Sequence, residues 1–520
     1  MPRWPVPRRS TLSVVAVLIV ALTAGMPAWG RQAGDLSAAL PKGTALQSLR
    51  VIPLRTLRTS QDRALVASLQ GLVAKASPEQ IFIDDGGPSA TWKDYLVSQY
   101  GIALTDTHAT LPSLLTYFKR YVTGYILYDM AANPPSLNVA TSLSGPLRGL
   151  PVDRSQLTQV RALGITRELV DVSDKTEKWA YQNYRRLFST TTAVELDFDV
   201  YNQLRDYATL TNSFTFYDGV TDWRRRVLSG LEPGATLLGY GNSETPMIRQ
   251  ASEEGVTSVP TDLASNLSVL SSVRGSAGLT QRSVPKPPSS AKHYVSFVIS
   301  DGDNVAWDIR GLKQYYGNAD RGRFSVGYGV SPSLVDLAPA VLRWYYENAS
   351  GGDQFVAGPS GLGYLYPSRM PTEDLDRFAD RLNAYMGRAD LRIAEILDDQ
   401  AAFDRTDLWS DYLRQPNIDA LFYSGPDAHG QIGWVNDKPV IGQRDTLWGG
   451  VTDEKTLIRE INARPASPAT SDGYTLILVH CWTKSLSDIR TVVDGLGSGV
   501  EVVTPREFVS LIERNHVAQV

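Results

Sequence analysis

From residue 294 onward, short apolar segments rich in β-branched and aromatic residues recur at regular intervals. Each hands over to a polar or glycine-bearing loop. They are Tyr294–Ser300 (YVSFVIS), Phe324–Val330, Gln354–Ala357, Leu391–Leu397, Ile418–Tyr423, the weaker Lys438–Gln443, Tyr474–His480 (YTLILVH) and Val500–Val503. Helical periodicity fills several gaps, over Leu334–Asn348, Thr372–Met386 and Asp453–Ala463. A last helix opens on Thr504-Pro505-Arg506-Glu507, a capping box with proline in the first turn. Strands alternating with helices predict parallel β/α units. Seven or eight such steps predict a C-terminal (β/α) barrel-like domain over 293–520, with an open doubly wound sheet as the alternative.

The preceding residues, 50–280, alternate strands and helices less regularly and predict an N-terminal α/β region, Rossmann-like in its layering and divisible into two or three subdomains. Ile81–Ile83, Val122–Tyr128, Ser136–Thr141 and Ala235–Gly239 read as strands. Glu177–Phe188, Asp197–Leu210 and Thr245–Glu254 read as helices. Between Gln281 and Lys292, three prolines and three serines within ten residues predict a linker (281–292), because proline cannot join a sheet or helix interior. Arg3, Arg8 and Arg9, the apolar run Val14–Leu22 and the small residues of Ala28-Trp29-Gly30 predict a secretory signal peptide over 1–30. Residues 31–49 follow as a linker. The expected mature chain starts near Arg31, is secreted, and has no stable membrane insertion, since the apolar run is too short to span.

Composition narrows the function. Lys and Arg number 51 against 55 Asp and Glu, a net charge of −4, which is not the footprint of a nucleic-acid binder. One cysteine and five histidines, without an H-x-x-x-H pair, argue against a disulfide framework and a thiolate or His-rich zinc site. No metal and no cofactor is therefore expected. Cys481, between Val479 and Trp482, reads as a buried small hydrophobe.

In barrels of this kind the chemistry sits beyond the carboxyl ends of the strands. The first strand ends in Ser300-Asp301-Gly302-Asp303-Asn304 and the third in Gly361-Leu362-Gly363-Tyr364-Leu365-Tyr366-Pro367. The fourth carries Glu395 and ends in Asp398-Asp399-Gln400, the fifth gives Asp427 and His429, and the seventh gives His480-Cys481-Trp482. Carboxylates, imidazole and aromatic rings are thus expected on one rim. Ser360 lacks the G-x-S-x-G elbow of serine esterases, and Gly239-Tyr240-Gly241 lacks the third glycine of a dinucleotide fingerprint.

The third loop matches every position of Gly361-x-Gly363-Tyr364-x-Tyr366-Pro367, and the chain resembles the GxGYxYP family of glycoside hydrolases. The SDGDN segment and the VTGYILYD…SLNVATSLSG stretch support the resemblance. It implies an N-terminal α/β region before a barrel-like domain, and hydrolysis of an oligo- or polysaccharide. Glycoside hydrolysis needs one protonated and one ionised carboxyl group. Asp303 is the first candidate, paired with Asp398 or Asp399, with Asp301 beside them. The bland readings are Asx turns for Asp301 and Asp303, helix capping for Asp398 and Asp399, and an ion-pair partner for Glu395. Tyr364, Tyr366, Asn304, His480, Trp482 and Trp307 are the candidate substrate contacts, with Trp434 and Trp448 as further aromatics of a sugar cleft. Tyr366 reads equally well as a loop plug. Two alternatives stand: a non-catalytic glycan-binding protein, and a metal-dependent carbohydrate deacetylase using Asp301, Asp427 and His429.

Overall fold

The computed structural model describes residues 39–275, 278–282, 290–400, 403–425 and 427–516. The expected signal peptide, residues 31–38 of the expected linker and residues 283–289 of the Pro/Ser-rich segment lie outside the described residues.

The N-terminal region holds three small, wholly parallel sheets. β1 (Ser48–Pro53) lies between β2 (Glu79–Asp84) and β3 (Ala103–Asp106). β4 (Gly124–Tyr128) lies between β5 (Gly149–Asp153) and β6 (Glu168–Asp171). The third sheet runs β10 (Thr257–Val259), β9 (Thr236–Gly239), β7 (Thr192–Glu195), β8 (Phe214–Phe216). Helices pack on these sheets, and β4 and β5 are buried at every position, whereas the edge strands β3 and β6 are largely exposed.

Two local readings are corrected. Ser136–Thr141 is not a strand but the first half of the helix Ser136–Leu147. Its first ten residues are all buried, and its hydroxyls bond back along the helix, Thr141 Oγ1 to the Leu137 carbonyl and Ser142 Oγ to that of Asn138. A helix buried all round shows no amphipathic period to read. Within Asp197–Leu210, only the stretch from Arg205 is helical, as Arg205–Thr211. Asp197 instead accepts from the Asp199 amide in an Asx turn, and Leu204 takes a φ of 58°.

The C-terminal region is one ten-stranded, mostly parallel, curled sheet. Its strands are β11 (His293–Ile299), β12 (Val326–Val330), β13 (Asp353–Ala357), β14 (Ile393–Ile396), β15 (Ala420–Tyr423), β16 (Ile432–Val435), β17 (Lys438–Gly442), β18 (Asp445–Leu447), β19 (Tyr474–Val479) and β20 (Val500–Val502). The order is β16-β17-β15-β14-β13-β12-β11-β19-β18. β17 pairs with β15, and three residues later β18 pairs with β19. At the crossing, the Gln443 amide donates to Tyr423 O and the Arg444 amide to Leu476 O. The two margins of the curled sheet therefore meet in the segment 438–447. The antiparallel β16 and the separate β18 escape the sequence reading. The expected eighth strand, β20, pairs only with the start of β11. The helix expected over Leu334–Asn348 breaks at Ala338, whose φ of −154° is forced by Pro339 behind it. The capping box on Thr504 and Glu507 is present.

The residues from Ala39 onward form one compact unit. One hydrophobic cluster takes in Val51, Trp92 and Val259 together with Phe297, Tyr345 and Leu382. Trp92 donates its indole N–H to Ile309 O at 2.8 Å and packs edge-on against Trp344. The start of the expected linker is itself anchored: the Gln281 amide side chain bonds both the N–H and the C=O of Phe355. No described helix is long and apolar enough to cross a membrane.

Candidate active-site cleft

β11 is apolar and buried along its length, and it delivers Ser300-Asp301-Gly302-Asp303 to its carboxyl end. The loop seats there because three glycines meet. A Cβ on Gly302 would lie 2.2 Å from the Gly329 carbonyl carbon, and one on Gly358 would lie 2.2 Å from the Gly302 carbonyl carbon. Only backbone without side chains lets the first loop rest on the ends of β12 and β13. Asp301 pays in strain with a φ of 66°, a conformation that in non-glycine residues gathers at functional sites. It accepts hydrogen bonds from Ser300 Oγ at 3.0 Å and from the Trp482 indole N–H. Asn304 Oδ1 caps the Trp307 amide at 2.9 Å and starts the π-helical turn Trp307–Gly311. Such turns recur at functional sites.

These groups open onto a cleft of about 620 Å³. Asp301, Asp303, Trp307, Glu395, His480 and Trp482 line it from the curled sheet, along with Asn304 and Tyr364. Tyr240, Glu244, Pro260, Asp262 and Leu263 line it from the third N-terminal sheet. The Trp307 and Trp482 rings pack 4.8 Å apart, and His480 stacks on Trp448 at 3.8 Å with its Nδ1 2.8 Å from Thr483 Oγ1.

Burial dominates the electrostatics. It pushes the Asp303 carboxyl well above the usual range, and the nearby charges of Asp301 and Glu244 push the same way. Glu395 is pushed up to about 8 by burial, then by Asp303 and Asp301. Its Oε2 is buried without a hydrogen-bond partner. Behind the cleft, Asp308 is also pushed up by burial, although its Oδ2 accepts from the Ser331 amide at 3.0 Å. Burial lowers His480, against the pull of Asp301. The cleft therefore sets two carboxyl groups whose proton affinity burial raises, Asp303 and Glu395, beside two that are hydrogen-bonded, Asp301 and Glu244.

The glycine-tyrosine loop does two things at once. Tyr364 and Ser258 exchange backbone hydrogen bonds of 2.7 and 3.1 Å, so the loop joins the edge strand β10. Gly363 makes this possible: its φ is 149°, and a Cβ there would lie 2.7 Å from Ser258 O. Tyr364 then donates its hydroxyl to Glu244 at 2.9 Å, inside the cleft. The Tyr366 amide donates to Ser252 Oγ at 3.0 Å, and its ring meets Tyr364 edge-on.

Seven of the expected site residues, Asp301, Asp303, Asn304, Trp307, Tyr364, His480 and Trp482, line this cleft. Asp398, Asp399 and Tyr366 do not. Asp398 accepts from the Ser368 amide and hydroxyl at 2.8 and 2.6 Å. Asp399 is held below the usual range by ion pairs to Arg249 at 2.6 Å and Arg369 at 2.9 Å. Neither caps the helix Thr406–Leu413: Asp398 fastens Ser368 at the end of the tyrosine loop, and Asp399 ties Arg369 to Arg249 on the helix Glu244–Glu253. The fourth strand presents Glu395 to the cleft instead. Glu244, Tyr240 and Asp262 were missed, because nothing local marks a residue that reaches a site built on the strands of a later sheet. Ser360 donates its hydroxyl to Leu365 O, and Asp427 accepts from the Phe403 amide. Cys481 is buried, which raises its thiol far above the usual range. Among the described residues, no three His, Cys, Asp or Glu side chains are grouped to hold a metal ion.

Comparison with known proteins places this geometry. Family models described as the first, second and third GxGYxYP N-terminal domains match residues 48–120, 122–187 and 190–272. The model "GxGYxYP putative glycoside hydrolase C-terminal domain" matches residues 291–513. The chain is similar to a solved structure described as a "putative hydrolase from Bacteroides thetaiotaomicron VPI-5482", with 41% identity and a TM-score of 0.88, covering 92% of this chain and 98% of that one. No curated protein matches.

Proposed function

Since the chain belongs to the GxGYxYP family, we propose that it is a carbohydrate-active hydrolase that cleaves glycosidic bonds in the Asp303 cleft. The observation that carries this reading is the convergence of buried carboxyl groups, Asp303 and Glu395, and hydrogen-bonded ones, Asp301 and Glu244, in one aromatic-walled cleft. Asp303, whose proton affinity is raised by burial and by the nearby Asp301 and Glu244, donates a proton to the leaving glycosidic oxygen. Asp301, whose charge helps raise Asp303 and which is held by Ser300 and Trp482, is the second carboxylate. Glu244, across the cleft and fixed by Tyr364, is the rival for that role. The unpartnered Oε2 of Glu395 meets a substrate hydroxyl at the cleft floor. Trp307 and Trp482 pack against the apolar face of a sugar ring. In this reading the curled sheet is a barrel of seven parallel staves, counting segment 438–447 as one, with the cleft at its carboxyl end.

Asp303→Asn is expected to lower hydrolysis of a responsive oligosaccharide about 10²–10⁴-fold while binding persists. Retained activity would remove Asp303 from the mechanism. Asp301→Asn and Glu244→Gln, assayed side by side, assign the second carboxylate. Catalysis that needs an added divalent cation and vanishes on chelation would favour the deacetylase alternative. We also propose export through residues 1–30; amino-terminal sequencing of secreted protein should begin near Arg31, and a start at Met1 would overturn it.

A further inference from the structure

Arg310 is the one Lys or Arg that lines the cleft among the described residues. Its guanidinium makes no ion pair or hydrogen bond with them, although carboxyl groups share the cleft. Nearby arginines differ: Arg249 and Arg369 are both taken up by Asp399. Arg310 sits on the π-helical turn after β11, and Trp307, Gly311 and Gln314 of the same wall also face the cleft. Gly311 makes room for the Trp307 ring, since a Cβ there would lie 2.0 Å from it. One wall thus offers an aromatic face, an uncommitted guanidinium and an amide within two turns. A sugar ring bound against Trp482, the exposed member of the Trp307–Trp482 pair, would present its substituents to the wall that carries Arg310. The guanidinium fork matches a carboxylate or a sulfate, which present paired oxygens, and it is poorly matched to a lone hydroxyl.

We propose that this wall is a subsite for a negatively charged sugar, a uronate or a sulfate ester, whose oxyanion is read by Arg310. The proposal rests on the carbohydrate reading of the same cleft and adds the class of substrate. The acids of the cleft do not forbid it: none of Asp301, Asp303, Glu244, Asp262 and Glu395 lies within ion-pair distance of Arg310, so its fork is left for a ligand.

The test is a set of titrations of the full-length protein, followed by ligand-observed NMR. Probes are glucuronate against glucose, galacturonate against galactose, and glucose 6-sulfate. The anionic member of at least one pair is expected to bind about 10–100-fold tighter, the advantage of a charge-assisted hydrogen bond. Which anion gains more separates uronate from sulfate. In Arg310→Gln that advantage should collapse, and in Arg310→Lys it should fall part of the way. Lys313→Gln makes the same charge change outside the cleft, where the ammonium lies over Trp344, and should keep the advantage. Equal binding of charged and neutral sugars, or an advantage that survives Arg310→Gln, overturns the subsite alone. If no sugar of either kind binds, the carbohydrate reading falls and the subsite with it.

Discussion

Glu395 is a carboxyl group on a buried strand, with one oxygen that bonds to nothing in the described protein. Its pKa, raised from 4.5 to about 8, means the folded state keeps a proton that the unfolded chain releases. By linkage this contribution is fully present below about pH 4.5 and is lost as pH rises towards 8. Glu395→Gln keeps the shape and removes the titration. The variant is expected to be more stable than wild type at pH 8–9 by about 1–3 kcal/mol, and to lack the decline between pH 5 and 8. Denaturant titrations at several pH values check this; parallel curves for the two proteins would contradict it. At this scale Asp301 and Asp303 were legible because one loop of five residues carries both. Asp398 and Asp399 were equally conspicuous, yet they serve Ser368, Arg249 and Arg369. Residue type is written in the sequence; the partner that occupies it is not.

The loop Gly361–Pro367 shows how one element links two others. Gly361 and Gly363 take φ of 111° and 149°. What they make room for is different in kind: Leu382 beside Gly361, and the β10 backbone beside Gly363. Gly363→Ala meets both a strained φ and a backbone oxygen that cannot yield, so a loss of about 2–4 kcal/mol is expected. Activity should fall with it, because Tyr364 leaves Glu244. Gly351→Ala, which has nothing within 4 Å of its Cβ, should stay within about 0.5 kcal/mol of wild type. Thermal melts of both variants decide. A Gly363→Ala protein as stable as Gly351→Ala would show that the loop does not depend on this docking.

Across the whole molecule, the Pro/Ser-rich segment suggests two separable halves, but the halves share a core and a site. Trp92 reaches Ile309, Tyr364 pairs with Ser258, and Glu244 faces Asp303 across the cleft. A protease site inserted within residues 283–289 should therefore yield a nicked protein whose two pieces co-elute and keep activity. The piece from Ser290 onward, expressed alone, should expose its share of the common core and bind a hydrophobic dye. Pieces that separate on a sizing column, or a well-folded and active fragment, would restore the reading of independent domains.

The sequence by itself determined the run of parallel β/α units, the glycine-tyrosine loop that marks the family, and the acidic loop after β11. Each depends on residues within about a dozen positions of one another, where period, capping and turn chemistry act directly. The tertiary structure alone decided that segment 438–447 joins the two margins of the sheet. It also decided that Glu395 rather than Asp398 or Asp399 faces the cleft, and that Tyr240, Glu244 and Asp262 supply its far wall. Those outcomes follow from which buried surfaces and backbone edges meet. An apolar strand or an exposed edge carries no label for its distant partner, so only the packed chain shows which side chains share the site.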